Sequence, residues 1–124
     1  MRVAIYCRVA GSVQGSALDM QKTMLERFAE ERQDEIVAVY LDSGLGRDLK
    51  RPGLQDLLHA ASRNEFDTLL LMSLSRLSRN TADLMKLLKL LMNAGVCVVS
   101  VQEGDIITSG IRTVQSLFER LTQI

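Results

Sequence analysis

The stretch "DTLLLMSLSRLSRNTADLMKLLKLLMNAGVCVVSV", residues 67–101, holds one full unit of chain folding. "DTLLLM" at 67–72 is an unbroken apolar run of strand length, and "VCVVSV" at 96–101 is another. Between them Leu84, Leu87, Leu88 and Leu91 recur at helical spacing and make one helix face apolar. Asn80 with Asp83 reads as a capping pair at the start of that helix, and Gly95 can end it. Strands that read as continuous apolar runs, joined by an amphipathic helix, belong to a mostly parallel sheet covered on both faces.

The same alternation extends toward the amino terminus. "RVAIYC" at 2–7 and "IVAVYL" at 36–41 have strand character. Met20, Met24, Leu25 and Phe28 mark the apolar face of a first helix, and Leu54, Leu57, Leu58 and Ala61 that of a second, with Pro52 suited to its first turn. The order is β-α-β-α-β-α-β. The expected fold is therefore a three-layer α/β/α sandwich with a mostly parallel sheet of four to five strands, plus a C-terminal helix.

Bulk properties bound the rest. With 124 residues and 47% hydrophobic content the chain has the size and apolar surface of one ordinary domain. Its 15 basic residues balance 15 acidic ones, so any polyanion site must be local. The two cysteines, Cys7 and Cys97, sit in apolar runs without metal-ligand spacing, which reads as buried thiols in a reducing compartment and no metal site. No signal-peptide pattern opens the chain, and no apolar run approaches the roughly 20 residues that cross a bilayer. A soluble, cytoplasmic protein without a membrane partner is expected. His59 falls off the apolar face of the second helix and reads as exposed, while Met72, Met85 and Met92 read as core filler.

Ligands of such sheets bind beyond the carboxyl ends of the strands. The first of these turns carries Arg8, Ser12 and Gln14 in "YCRVAGSVQ", 6–14. The second is "DSGLGRDLKRPGL", 42–54, with Arg47 and Arg51; the third is "SLSRLSRN", 73–80, with Ser75, Arg76, Ser78 and Arg79. A single surface arginine is ordinarily just solvated. Several on one rim suit a phosphodiester that gains negative charge during reaction, because guanidinium donors match phosphate oxygens in pairs.

"YCRV" at 6–9, "DSG" at 42–44 with "RPGL" at 51–54 and "DLL" at 56–58, and "LSRLSRNTADL" at 74–84 occur in that order across most of the chain. In combination they resemble the catalytic domain of the serine recombinases, the resolvase/invertase family. The resemblance implies a resolvase-like fold and a serine that attacks the scissile phosphate, forming a phosphoserine link that is later resealed. It implies DNA as substrate, a homo-oligomer (a dimer, and a tetramer during synapsis) or related recombinase subunits as partners, and no metal, nucleotide or other cofactor. Carried over by motif, Arg8, Arg51, Arg76 and Arg79 match the family's phosphate-binding arginines, and Gln14 and Gln21 match polar residues of the same site. Arg47 matches no family signature.

Two departures stand out. Where the family reads R-V-S-T, with the nucleophile two residues after the arginine, this chain has Arg8, Val9, Ala10 and Gly11. A methyl group cannot attack phosphorus, and arginines stabilise charge without supplying the attacking atom. Where the family commonly places an aspartate before the third-loop arginine, this chain has Ser75. Three changed residues together, Ala10, Gly11 and Ser75, point to natural divergence. Ser12 is either a replacement nucleophile, turned inward at Gly11, or a loop-capping serine.

From Ile111 the apolar residues Ile111, Val114, Phe118 and Leu121 are spaced three, four and three, on a helix still apolar where the sequence stops. Residues 1–110 are thus expected to form the catalytic domain, and 111–124 the start of a long oligomerisation helix, with the DNA-binding domain absent. Two functions compete: an impaired site-specific recombinase catalytic domain, and a non-catalytic assembly module that pairs with active subunits through that helix. A small phosphate-ligand binder on a flavodoxin-like sheet is opposed by the lack of a Walker A motif or GxGxxG after the first strand.

Overall fold

The structure, a computed structural model, describes residues 1–9, 16–43 and 51–106. Five strands and three helices alternate along it: β1 (Arg2–Val9), α1 (Ser16–Glu31), β2 (Glu35–Ser43), α2 (Pro52–Ser62), β3 (Thr68–Leu71), α3 (Thr81–Asn93), β4 (Cys97–Ser100) and β5 (Gly104–Ile106). A single 3₁₀ turn, Leu74–Arg76, interrupts the loop between β3 and α3. The sheet order is β2-β1-β3-β4-β5. Pairs β1–β2, β1–β3 and β3–β4 are parallel, and β5 returns antiparallel to β4. This is the expected α/β sandwich with a mostly parallel sheet.

Alternation along β1 sorts the core into two halves. Ala4 and Tyr6 face one side, where Leu54, Leu57 and Ala61 of α2 and Leu84, Leu87, Leu88 and Leu91 of α3 pack with Leu69 and Leu71. Val3, Ile5 and Cys7 face the other, against Leu25 and Ala29 of α1. Each buried leucine contributes roughly 1.5–3 kcal/mol of burial free energy, which holds the helix layers to the sheet. The four leucines named for α3 are all buried, Asn80 Oδ1 accepts the Asp83 N–H at 3.1 Å, and Gly95 takes φ +80 just past the helix end. Pro52 is the first residue of α2, and His59 is exposed.

Two expectations need correction. Met20 and Met24 do not lie on the sheet side of α1: they are 66% and 52% exposed. The stripe that faces the sheet is Leu18, Leu25, Phe28 and Ala29. Gln21 lies in that stripe and spends its amide on the backbone of β1, as described below. Methionine hydrophobicity suggested a face that the (i, i+3, i+4) geometry of the remaining residues overrules. Cys97 is only half-buried, because it opens β4, whereas Cys7 is buried mid-sheet.

The short β5 was not marked by its own apolar run and is defined by pairing with β4. The C-terminal helix with Ile111, Val114, Phe118 and Leu121 lies outside the described residues, as do Ala10, Ser12, Gln14 and Arg47. Among the described residues no helix is long and apolar enough to cross a membrane.

Candidate functional site

The strand order reverses between β1 and β3, so the loops leaving their carboxyl ends diverge and open the crevice in which doubly wound sheets bind ligands. Arg8 stands near the end of β1, Arg76 and Arg79 in the loop after β3, and Arg51 immediately before α2.

Arg8 is held through its backbone. Gln21 Nε2 donates to the Arg8 carbonyl at 3.0 Å, and Gln21 Oε1 accepts the Arg8 N–H at 3.3 Å. Arg76 Nη1 donates to the same carbonyl at 3.0 Å. One carbonyl thus ties the end of β1 both to α1 and to the third loop.

Arg51 is 7% exposed and grips the third loop from below. Its Nη1 donates to the Arg76 carbonyl and to Tyr6 Oη, both at 3.0 Å, and its Nη2 donates to the Leu77 carbonyl. The guanidinium also sits 5.9 Å from the centre of the Tyr6 ring. Tyr6 passes the contact on, donating its phenol proton to Asp42 Oδ2 at 2.7 Å. Burial first, and then that hydrogen bond, push the Tyr6 phenol above its ordinary range, so it remains a donor.

Asp42 closes the web at the start of α2. Its Oδ1 accepts the Gly53 N–H at 2.8 Å, and its Oδ2 accepts the Leu54 N–H at 2.9 Å. A carboxylate on the first free amides of a helix satisfies donors that have no intrahelical partner. The approach demands glycine: a Cβ at residue 53 would lie 2.7 Å from the Leu41 carbonyl oxygen and 2.9 Å from either Asp42 oxygen. The "DSG" and "RPGL" segments are therefore halves of one device. Asp42 caps the helix, Pro52 starts it, Gly53 admits the carboxylate, and Arg51 reaches up to the arginine loop.

The third loop is itself ordered by small hydroxyls. Ser73 Oγ and Ser75 Oγ are 2.7 Å apart, and Ser78 Oγ accepts the Asn80 N–H at 3.1 Å. Ser73 and Ser78 are buried, while Ser75 and Arg79 are exposed. Burial first, then the charge of Arg51, and further down those of Arg79 and Arg76, draw the Arg8 guanidinium below its ordinary value, with Tyr6 opposing. Arg76 Nε is buried without a hydrogen-bond partner among the described residues. Mutually repelling cations, one with a dry unspent donor, are what an oxyanion would relieve.

The structure thus brings Arg8, Gln21, Arg51 and Arg76 into one bonded assembly, with Arg79 on the same loop. Sequence reasoning overlooked Tyr6, Asp42 and Gly53 as supports. The signal available was a carboxylate in "DSG" ahead of a Pro-Gly helix start, although the bond spans eleven residues of chain. Among the described residues no group of three or more His, Cys, Asp or Glu is placed to hold a metal ion. An open groove of about 300 Å³ lined by Asp19, Met20, Thr23 and Met24 is formed by α1 and includes none of these arginines.

The match to known proteins agrees with this geometry. Residues 3–123 match the family "Resolvase, N terminal domain". The chain is 35% identical over 98 residues to the transposon Tn501 resolvase of Pseudomonas aeruginosa, covering 79% of this chain and 49% of that protein. It is 33% identical over 113 residues to the transposon Tn552 DNA-invertase BinR of Staphylococcus aureus, covering 91% of this chain and 54% of that one. The chain therefore spans about half the length of the curated relatives it matches. Among solved structures, the N-terminal catalytic domain of TP901-1 integrase superposes with a TM-score of 0.82 at 28% identity, over 99% of this chain and 95% of that one. A resolvase family site-specific recombinase from Streptococcus pneumoniae superposes with a TM-score of 0.79 at 25% identity, over 99% and 86%. With the family matched along nearly its whole length and the arginine motifs gathered at one crevice, this chain belongs to the resolvase N-terminal domain family.

Proposed function

We propose that the chain is the catalytic domain of a resolvase-type site-specific DNA recombinase whose arginine rim grips a DNA phosphodiester. Ala10 at the nucleophile position leaves it unable to form the phosphoserine link itself. DNA is the substrate, a metal or other cofactor is not required, and the partners are copies of the chain or related recombinase subunits. Residues 1–110 form the catalytic domain and 111–124 begin the helix that assembles the oligomer. The supporting observation is the chain of contacts from the Arg8 carbonyl through Arg76 to Arg51, which joins the end of β1, the loop after β3 and the start of α2.

In this reading Arg8, Arg76 and Arg79 stabilise charge on the phosphoryl oxygens, and Gln21 and Arg51 hold them in place. Gln14, Ser12 and Ser75 are assigned supporting roles at the phosphate by their positions in the sequence motifs. A serine at residue 10 would attack phosphorus, forming an O–P bond as the bond to the deoxyribose oxygen breaks; the leaving oxygen takes a proton and later reverses the step. The pairing of an intact grip with Ala10 favours a second role as well: a subunit that joins active recombinases through residues 111–124 without cutting.

The test fuses the chain to a DNA-binding domain of known site and looks for a covalent protein–DNA adduct on a denaturing gel. The natural sequence should give none, and Ala10→Ser should give an adduct at the site. An adduct from the natural sequence would assign the attack to another residue, with Ser12 first to be replaced by alanine. No adduct from Ala10→Ser would remove the catalytic reading and leave the assembly role.

A further inference from the structure

The 3₁₀ turn Leu74–Arg76 that carries Arg76 is held at both ends, and by opposite charges. At its carbonyl end the Arg51 guanidinium takes the Arg76 and Leu77 carbonyls. At its amide end the Leu74 N–H donates to Glu103 Oε1 at 2.7 Å. Glu103 comes from the turn that follows β4, far from any arginine motif. Its Oε1 also accepts the Ser100 hydroxyl at 2.6 Å, and its own N–H donates back to Ser100 Oγ at 3.2 Å. Ser100 is buried at the end of β4, so the carboxylate is anchored to the sheet. The turn itself is laid along the end of β3, since the Val101 and Gln102 amides donate to the Leu71 and Met72 carbonyls at 3.0 Å.

A short helical turn exposes unpaired amides at its start and unpaired carbonyls at its finish. An anion at the first and a cation at the second satisfy both. Such a double clamp restricts where the side chain between them can reach, and here that side chain is Arg76, whose Nη1 meets the Arg8 carbonyl. Leu74 is 2% exposed, so its amide has little access to water as a substitute acceptor.

We propose that Glu103 is a positioning residue of the candidate phosphate site: its carboxylate fixes the amide end of the Leu74–Arg76 turn and thereby the reach of Arg76 toward the phosphoryl group. The role at that group rests on the recombinase reading above; the clamp does not. It also ties the arginine loop to the β4–β5 turn, through which the chain continues toward residues 111–124.

Two measurements separate these layers. Amide hydrogen exchange on the chain itself should show Leu74 exchanging about tenfold faster or more in Glu103→Ala, with the β1 and β3 amides unchanged. Glu103→Gln, which keeps an oxygen acceptor, should restore most of the protection. In the Ala10→Ser fusion, Glu103→Ala should lower the rate of adduct formation at saturating DNA by about tenfold, with little change in the DNA concentration for half-saturation, and Glu103→Gln should recover it. If Glu103→Ala does not fold, Glu103→Asp takes its place, because it keeps the charge but falls short of Leu74. Unchanged Leu74 exchange overturns the clamp. Altered exchange with an unchanged adduct rate, or a loss that Glu103→Gln does not relieve, overturns the positioning role. If Ala10→Ser alone forms no adduct, the recombinase reading fails, and the exchange measurement still decides the clamp.

Discussion

The two ends of the sheet hold their polar groups in different ways. At the carboxyl end, Asp42, Tyr6 and Arg51 are buried, and each bonds to two or more partners drawn from different elements. At the amino end each contact has at least one partner in reach of water. The Met1 amino group lies 3.6 Å from Asp34 Oδ1, Arg32 Nε lies 3.3 Å from Asp34 Oδ2, and the Arg2 N–H donates to Asp67 Oδ2 at 3.2 Å. Contacts with a partner already in reach of water close loops at smaller energetic consequence. A buried web whose members share partners fixes geometry, at the risk that losing one member strands the others. The difference teaches where this fold invests in precision: the arginine rim is over-determined, and the opposite rim is not.

The sharpest way to break that contrast is Asp42→Ala. It leaves the Gly53 and Leu54 amides and the Tyr6 hydroxyl without an acceptor in a buried region. Removing one partner of such a buried charged network costs about 3–5 kcal/mol, a large share of the 5–15 kcal/mol that stabilises typical proteins. Urea unfolding should show that loss. A loss below about 1 kcal/mol would mean the web is decoration, and the two ends would be equivalent.

How much of this web could be read in advance differs by element. Helix α3 was fully legible, because Leu84, Leu87, Leu88 and Leu91 obey one period and Asn80 caps in sequence with Asp83. Such signals are local. Helix α1 was not: Met20 and Met24 look apolar but face out, while polar Gln21 faces in because a backbone carbonyl needs it. That Arg8, Arg51 and Arg76 come near one another was legible, since the strand-to-helix loops of a parallel sheet all leave its carboxyl end. That Arg51 holds the third loop from inside was not, because the loop's carbonyls are specified only by tertiary placement. Glu103 shares that limit, since its Leu74 partner lies 29 residues away, whereas β5 is a short strand known only by its pairing with the neighbouring β4.

A second test uses protons. Burial lifts the Cys7 thiol from 9.0 to about 11, and the Tyr6 phenol is raised as well. The folded state then holds both protons more tightly than the unfolded state; the Cys7 contribution is complete below about pH 9 and is lost as pH climbs through about 11, while that of Tyr6 persists to higher pH. For Cys7 alone the loss is on the order of 2 kcal/mol. Stability measured by urea unfolding should be level up to pH 8.5 and then fall, and Cys7→Ala should remove the part of the decline that begins near pH 9. A decline that Cys7→Ala leaves intact would place the alkaline sensitivity elsewhere and weaken the picture of a dry carboxyl end.

The smallest effect sharpens the other side of the comparison. Arg32 pairs with Asp34 and lies 5.5 Å over the Phe28 ring, with its side chain 30% exposed. It is a cation just past the end of α1, and both of these contacts are to near neighbours in the chain. Arg32→Ala should therefore cost only about 0.5–1 kcal/mol, because Arg32 is partly in water and the Met1 amino group remains beside the Asp34 carboxylate. The same measurement under 1 M salt should shrink it further, because partly exposed charges are screened. If Arg32→Ala destabilised as strongly as Asp42→Ala, burial and multiple bonding would not be what separates the two ends. The special character assigned to the arginine rim would then need a source other than its network.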